Sequence, residues 1–157
     1  MRGQRLRLAV EQATQVHQQI EAQARARFSP LMRLKGVQAL TAGTLAVILG
    51  PGRRFRTDAG LALYAGVAPL EVSSAGRVRH RLNRGGNRQL NAVLYRIALT
   101  QRRSLPAAQA YVARRMGEGK TKREAIRALK RHLVRAIFHL WQECLRAERD
   151  QLIARVA

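Results

Sequence analysis

Leu6, Val10, Ala13, His17, Ile20, Ala24 and Phe28 recur at spacings of three and four, which places all seven on one stripe of a helix. Gln, Arg and Glu dominate the other positions of that stretch. So narrow a stripe calls for a partner, and the pattern predicts coiled-coil or helical-hairpin packing, within the chain or between chains. His17 reads as a tolerated seam residue of that stripe. Ser29-Pro30 then closes the segment and opens the next, with Ser as N-cap and Pro at the first helical position.

From Leu31 to Gly66 the pattern predicts short helices punctuated by glycine, over Leu31 to Lys35, Thr41 to Leu49 and Thr57 to Ala65, with Thr41 and Thr57 as N-caps. The first two, joined through Gly36-Val37, resemble a helix-hairpin-helix, whose hairpin amides can hold a DNA phosphate. Gln38 stands where that module has its second glycine, so helix packing is the expected role. Pro69 to Gly86 has no helical period and predicts a basic loop or short β-hairpin. Helix resumes from Asn87 to about Arg103, with Leu90, Val93, Leu94, Ile97 and Ala98 as its buried face. Ser104 and Pro106 begin another helix that ends near Gly117 and Gly119. Thr121 and Glu124 then form a capping box ahead of the last helix, whose apolar face, from Ala125 to Leu145, is the widest in the chain. The expected fold is mostly α: a coiled-coil-type linker helix over residues 1–29, then one compact helical domain over 30–157.

Charge narrows the function. Among 157 residues, 30 Lys and Arg face 9 Asp and Glu, a net charge of +21, and self-repulsion of that size makes a polyanion the expected partner. Arg outnumbers Lys, which suits bidentate phosphate recognition. A membrane surface fits less well, because aromatics make up only 4% and the longest apolar run, Leu61 to Leu70, is interrupted by Gly66 and Pro69. No apolar segment follows the basic N-terminus, so no secretory signal is expected. The single cysteine, Cys144, permits neither an internal disulfide nor a thiolate metal site; it is expected in the core of a cytoplasmic, nucleoid-associated protein.

The candidate chemistry lies between Val72 and Arg96. Ser73, Ser74, Arg77, Arg79, His80, Arg81, Arg84, Asn87 and Arg88 surround Gly85-Gly86, and that stretch holds no carboxylate. A hydroxyl pair ringed by cations suits a phosphate. Serine attack on phosphorus needs activation by a base or metal and cations to spread the transition-state charge, and His80 is the nearby group able to take a proton near neutrality. From residue types alone, a second reading stands beside this one: Ser73 and Ser74 as turn formers, and the arginines as a solvated surface.

The runs Arg54-Phe55, Tyr64-Ala65-Gly66-Val67-Ala68-Pro69, Ser73-Ser74-Ala75-Gly76, Arg79-His80-Arg81-Leu82, Gly86-Asn87-Arg88-Gln89-Leu90-Asn91 and Glu118 through Ala125 resemble the C-terminal domain of insertion-sequence transposases of the IS110 class. The order holds from Leu31 to Leu145. The resemblance implies an RNA-guided DNA recombinase, with a serine nucleophile carried to Ser74 first and Ser73 second. It also implies a resolvase-like domain with a metal-binding acidic tetrad, then a coiled coil, ahead of the serine domain. The nine acidic residues here form no such cluster, so magnesium is expected only through the missing acidic domain, and the isolated chain is not expected to complete recombination. The implied partners are DNA, a structured guide RNA and further copies of the chain through the N-terminal helix. The alternative function is a non-catalytic nucleic-acid-binding remnant of a truncated transposase.

Overall fold

A computed structural model describes residues 2–51, 54–74, 77–82 and 85–156, with the backbone alone described for residues 2, 69–74 and 77–82. Among the described residues, six helices and one antiparallel hairpin follow in the order α1 (Arg2–Met32), α2 (Ala39–Leu49), α3 (Asp58–Tyr64), β1 (Pro69–Ser74), β2 (Arg77–Leu82), α4 (Arg88–Ser104), α5 (Pro106–Gly117) and α6 (Lys122–Val156). The mostly α class predicted from the pattern is the one found.

Helix α6 organises the core. Ala125, Ile126, Leu129, Leu133, Val134, Ile137, Trp141 and Cys144 are buried along it, and α1, α3, α4 and α5 all pack on it. Removing this apolar area from water at about 25 cal/mol per Å² is the main stabilising term for a domain of this size. Helix α2 is buried through Ala42, Leu45 and Leu49 and packs on α1 and α4.

The N-terminal stripe divides in two. Ala24 is buried, Phe28 lies 5.8 Å from the Trp141 ring, and Ile20 reaches Gly43 of α2. Leu6, Val10, Ala13 and His17 are exposed, Leu6 by 67%, so this half of the stripe has no cover among the described residues. Phe28 leaves helical geometry (φ −122, ψ 23), and the chain resumes one further turn through Pro30 to Met32. Arg27 and Arg33 pair with Glu148 and Glu143 across the antiparallel α1–α6 contact. Both pairs are exposed and add at most about 1 kcal/mol each, so apolar packing decides the contact.

Local signals were partly right. Thr57 caps α3 by accepting from the Gly60 amide at 3.1 Å, and Asn87 caps α4 by accepting from Leu90 N–H at 2.8 Å. Thr121 and Glu124 form the capping box in both directions. Thr41 does not cap: α2 starts two residues earlier, behind Gln38, whose extended backbone provides the helix entry without a side-chain bond. Ser104 ends α4, its hydroxyl donating to Thr100 C=O, and α5 starts on Pro106 behind Leu105. The first short helix stops at Met32 rather than Lys35, because a turn follows in which Gly36 takes φ +92.

That turn is packed inward. A Cβ on Gly36 would meet the Thr100 side chain at 3.2 Å, and the buried Gln101 amide donates to Lys35 C=O at 2.9 Å. The α1–α2 hairpin is therefore docked on α4, which is the packing role expected of it.

Candidate nucleic-acid interface

The basic segment between α3 and α4 forms the hairpin. Its register pairs Pro69 with Leu82, Leu70 with Arg81, Glu71 with His80, Val72 with Arg79, Ser73 with Val78 and Ser74 with Arg77. Side chains alternate between faces along a strand, and cross-strand partners share a face. Positions 70, 72 and 74 therefore share one face with 77, 79 and 81, and positions 69, 71 and 73 share the other with 78, 80 and 82. Ser74 falls on the face of Arg77, Arg79 and Arg81; Ser73 falls on the face of Glu71 and His80. Arg84 lies outside the described residues.

The base of the hairpin is held by close backbone contact. Gly66 (φ +68) ends the α3 turn, and a Cβ added at Gly86 would overlap its amide nitrogen and Cα and lie 2.9 Å from the Ala65 carbonyl carbon. Only glycine at 86 lets the two chain segments meet. The Asn87 N–H donates to Tyr64 C=O at 2.7 Å, and the Asn87 amide donates to the Tyr64 hydroxyl at 2.8 Å. Asn87 is thus engaged at both ends inside the chain, and it contributes to this region by fixing where α4 starts. Arg88, next along, is exposed.

Two more supports come from either side. The Arg54 guanidinium lies 4.7 Å from the centroid of the Tyr64 ring, packed also by Phe55 at 5.1 Å, and donates to Ile48 C=O. Asn91 donates to Ala65 C=O and accepts from the Lys130 ammonium at 2.9 Å, which links the hairpin base to α6. Every residue of this set except Ile48 and Lys130 stands inside the motif runs, but their mutual contacts depend on the fold. Lys130 is only 9% exposed and carries no sequence mark. Burial, then the neighbouring Arg127, pushes its ammonium below the ordinary lysine value.

Carboxylates are scarce, and most of the described ones are occupied. Glu21, Asp58, Glu118, Glu143, Glu148 and Asp150 are in ion pairs, and Glu124 is in the capping box. No group of three His, Cys, Asp or Glu among the described residues could hold a metal ion, so these residues do not fit a magnesium pair. No helix among the described residues is long and apolar enough to cross a membrane.

Residues 29–113, from the α1 kink through most of α5, match the family described as Transposase IS116/IS110/IS902. The chain belongs to that family. A Streptomyces coelicolor protein named "Insertion element IS110 uncharacterized 43.6 kDa protein" is 35% identical over 140 residues, covering 83% of this chain and 35% of the relative. Pilin gene-inverting proteins of Moraxella lacunata and Moraxella bovis are each 32% identical over 111 residues, covering 69% of the chain and 34% of their own length. This IS116/IS110/IS902-family chain therefore spans about a third of the curated relatives it matches. The family match stops before α6, so Lys122 to Lys130 lie beyond it.

Proposed function

We propose that this chain is the DNA-binding, serine-bearing part of a transposase, with Ser74 as the nucleophile. The observation that carries this reading is the hairpin register, in which Ser74 closes the ladder opposite Arg77 and shares its face with Arg79 and Arg81. In the step envisaged, the Ser74 oxygen bonds to the phosphorus of one strand, the 3′-oxygen leaves as a hydroxyl, and the strand is held as a 5′-phosphoserine ester. The arginines spread the charge that develops on the phosphate oxygens. His80, whose position shares a face with Ser73, is the nearby group able to take a proton near neutrality.

The acidic metal-bearing domain implied by the resemblance belongs to the two thirds of the relatives that this chain does not span. Residues 1–29 act as a linker helix that joins copies of the protein: the Phe28 break supports the boundary with the domain over 30–157, and the uncovered Leu6–His17 half of the stripe supports the assembly. A structured guide RNA is a second nucleic-acid partner of the same basic surface, in the cytoplasm near the nucleoid.

Duplex binding measured against salt tests the reading. Counterion release predicts a log–log slope near −0.9 for each phosphate neutralised, so replacing Arg77, Arg79 and Arg81 with Ala flattens it by about 2.7. Binding that ignores salt, or a slope unchanged by the three substitutions, removes the arginine face from the interface.

A further inference from the structure

A cavity of about 460 Å³ opens where α4 meets the start of α6, with Gly66, at the base of the hairpin, in its lining. Four cations line it, Lys122, Arg123, Arg127 and Lys130, and none of its lining residues is a carboxylate. Lys130 is the informative one. Its ammonium has three N–H donors but one hydrogen-bond acceptor among the described residues, Asn91 Oδ1. It also lies 5.9 Å from the centroid of the Tyr95 ring, which leaves a nine-tenths-buried cation beside an aromatic wall with no counter-charge among the described residues. Burying a charge in this way is costly unless an anion joins it, and the depressed basicity of Lys130 reflects that cost.

Size separates the anions that could enter. A single strand can turn one nucleotide into such a cavity freely, whereas a duplex must first lose the pairing and stacking of that base. A cavity at the lower end of the range for small-ligand sites has room for one nucleotide. Tyr95, Leu99 and Ile126 give such a nucleotide an apolar wall, and stacking on an aromatic ring is how proteins hold unpaired bases of any sequence.

We propose that this cavity receives one nucleotide swung out of a nucleic-acid strand, its phosphate held by Lys130 with Arg127 and its base laid against Tyr95. The proposal rests on the nucleic-acid-binding reading above and adds a preference for unpaired strand. It places a holding site for a displaced nucleotide beside the hairpin base, where Asn91 couples Lys130 to the backbone at Ala65.

The test compares binding of a single-stranded 20-mer and its duplex to the full chain, for wild type, Lys130→Met and Tyr95→Leu. Lys130→Met removes the charge while keeping an unbranched stem, so the helix remains packed. Each variant is expected to lose about tenfold in single-strand affinity, within the range of one stacked base, while duplex affinity changes less than twofold. Lys130→Met should also flatten the single-strand salt slope by about 0.7. Thymidine monophosphate should compete with the single strand for wild type, and inorganic phosphate at equal concentration should not; competition by both alike overturns the nucleotide assignment. Parallel loss on both DNAs, or no loss on either, overturns the proposal while leaving steep, salt-dependent duplex binding intact. A chain that binds neither DNA overturns this proposal and the reading beneath it.

Discussion

Gly86 lies against Gly66 backbone to backbone, with no space for a Cβ between them. The contact closes the hairpin at its base: α3 delivers the chain at Gly66, and α4 receives it just after Gly86. Gly86→Ala must push two backbone segments apart. A loss of about 1–3 kcal/mol is expected, which for a domain of this size lowers the melting temperature by roughly 2–4 °C per kcal/mol. Gly117→Ala is the control, because open space surrounds it at the end of α5, and it should be neutral or slightly stabilising. Equal effects in urea unfolding would contradict the close approach.

Asn87 ties the same base to the start of α4. Asn87→Ala removes the cap to Leu90 and the partner of the Tyr64 hydroxyl, and should cost about 1–2 kcal/mol. Asn87→Asp keeps the capping oxygen and should recover most of that loss. A variant series in which Asp is no better than Ala would show that the cap is not what matters there.

Glu124 gives a pH signature. Its carboxylate is held below the ordinary range, first by the Thr121 backbone N–H and then by the Thr121 hydroxyl, so the charged form is favoured by folding. Its contribution is full above the unfolded carboxylate value near 4.5 and fades as pH falls through the lower folded value. Wild type should exceed Glu124→Gln in melting temperature at pH 6, and the two should converge on acidification. A gap that widens toward low pH would reverse the sign argued here.

Cys144 reports on the core. It is 2% exposed beside Trp141, and burial raises its thiol above the ordinary value, so little thiolate is present at pH 8. Alkylation by iodoacetamide should be slow in buffer and fast in denaturant. Rapid reaction of the folded chain would mean that the α1–α6 contact opens readily.

Much of this architecture could be read from the chain because its signals are local. Thr57, Asn87 and the Thr121–Glu124 box each sit within three residues of the group they satisfy. Thr41 misled because a helix can start on backbone geometry alone, as it does behind Gln38. The Gly66–Gly86 contact spans twenty residues and emerges only once α3 and α4 are placed. Lys130 looks in sequence like any cation on a helix, and its burial depends on Asn91 and Tyr95 of α4. The face shared by Ser74 with three arginines was one step further away, since it needed the register and not the composition.

The most direct test of the serine assignment is a covalent-adduct experiment. Nicked, end-labelled DNA is incubated with magnesium, this chain and the N-terminal part of a family transposase, and labelled peptides are mapped after denaturation. An adduct on Ser74 that persists in Ser73→Ala and vanishes in Ser74→Ala is the predicted result. No adduct, one that maps to Ser73, or one that survives Ser74→Ala would contradict it.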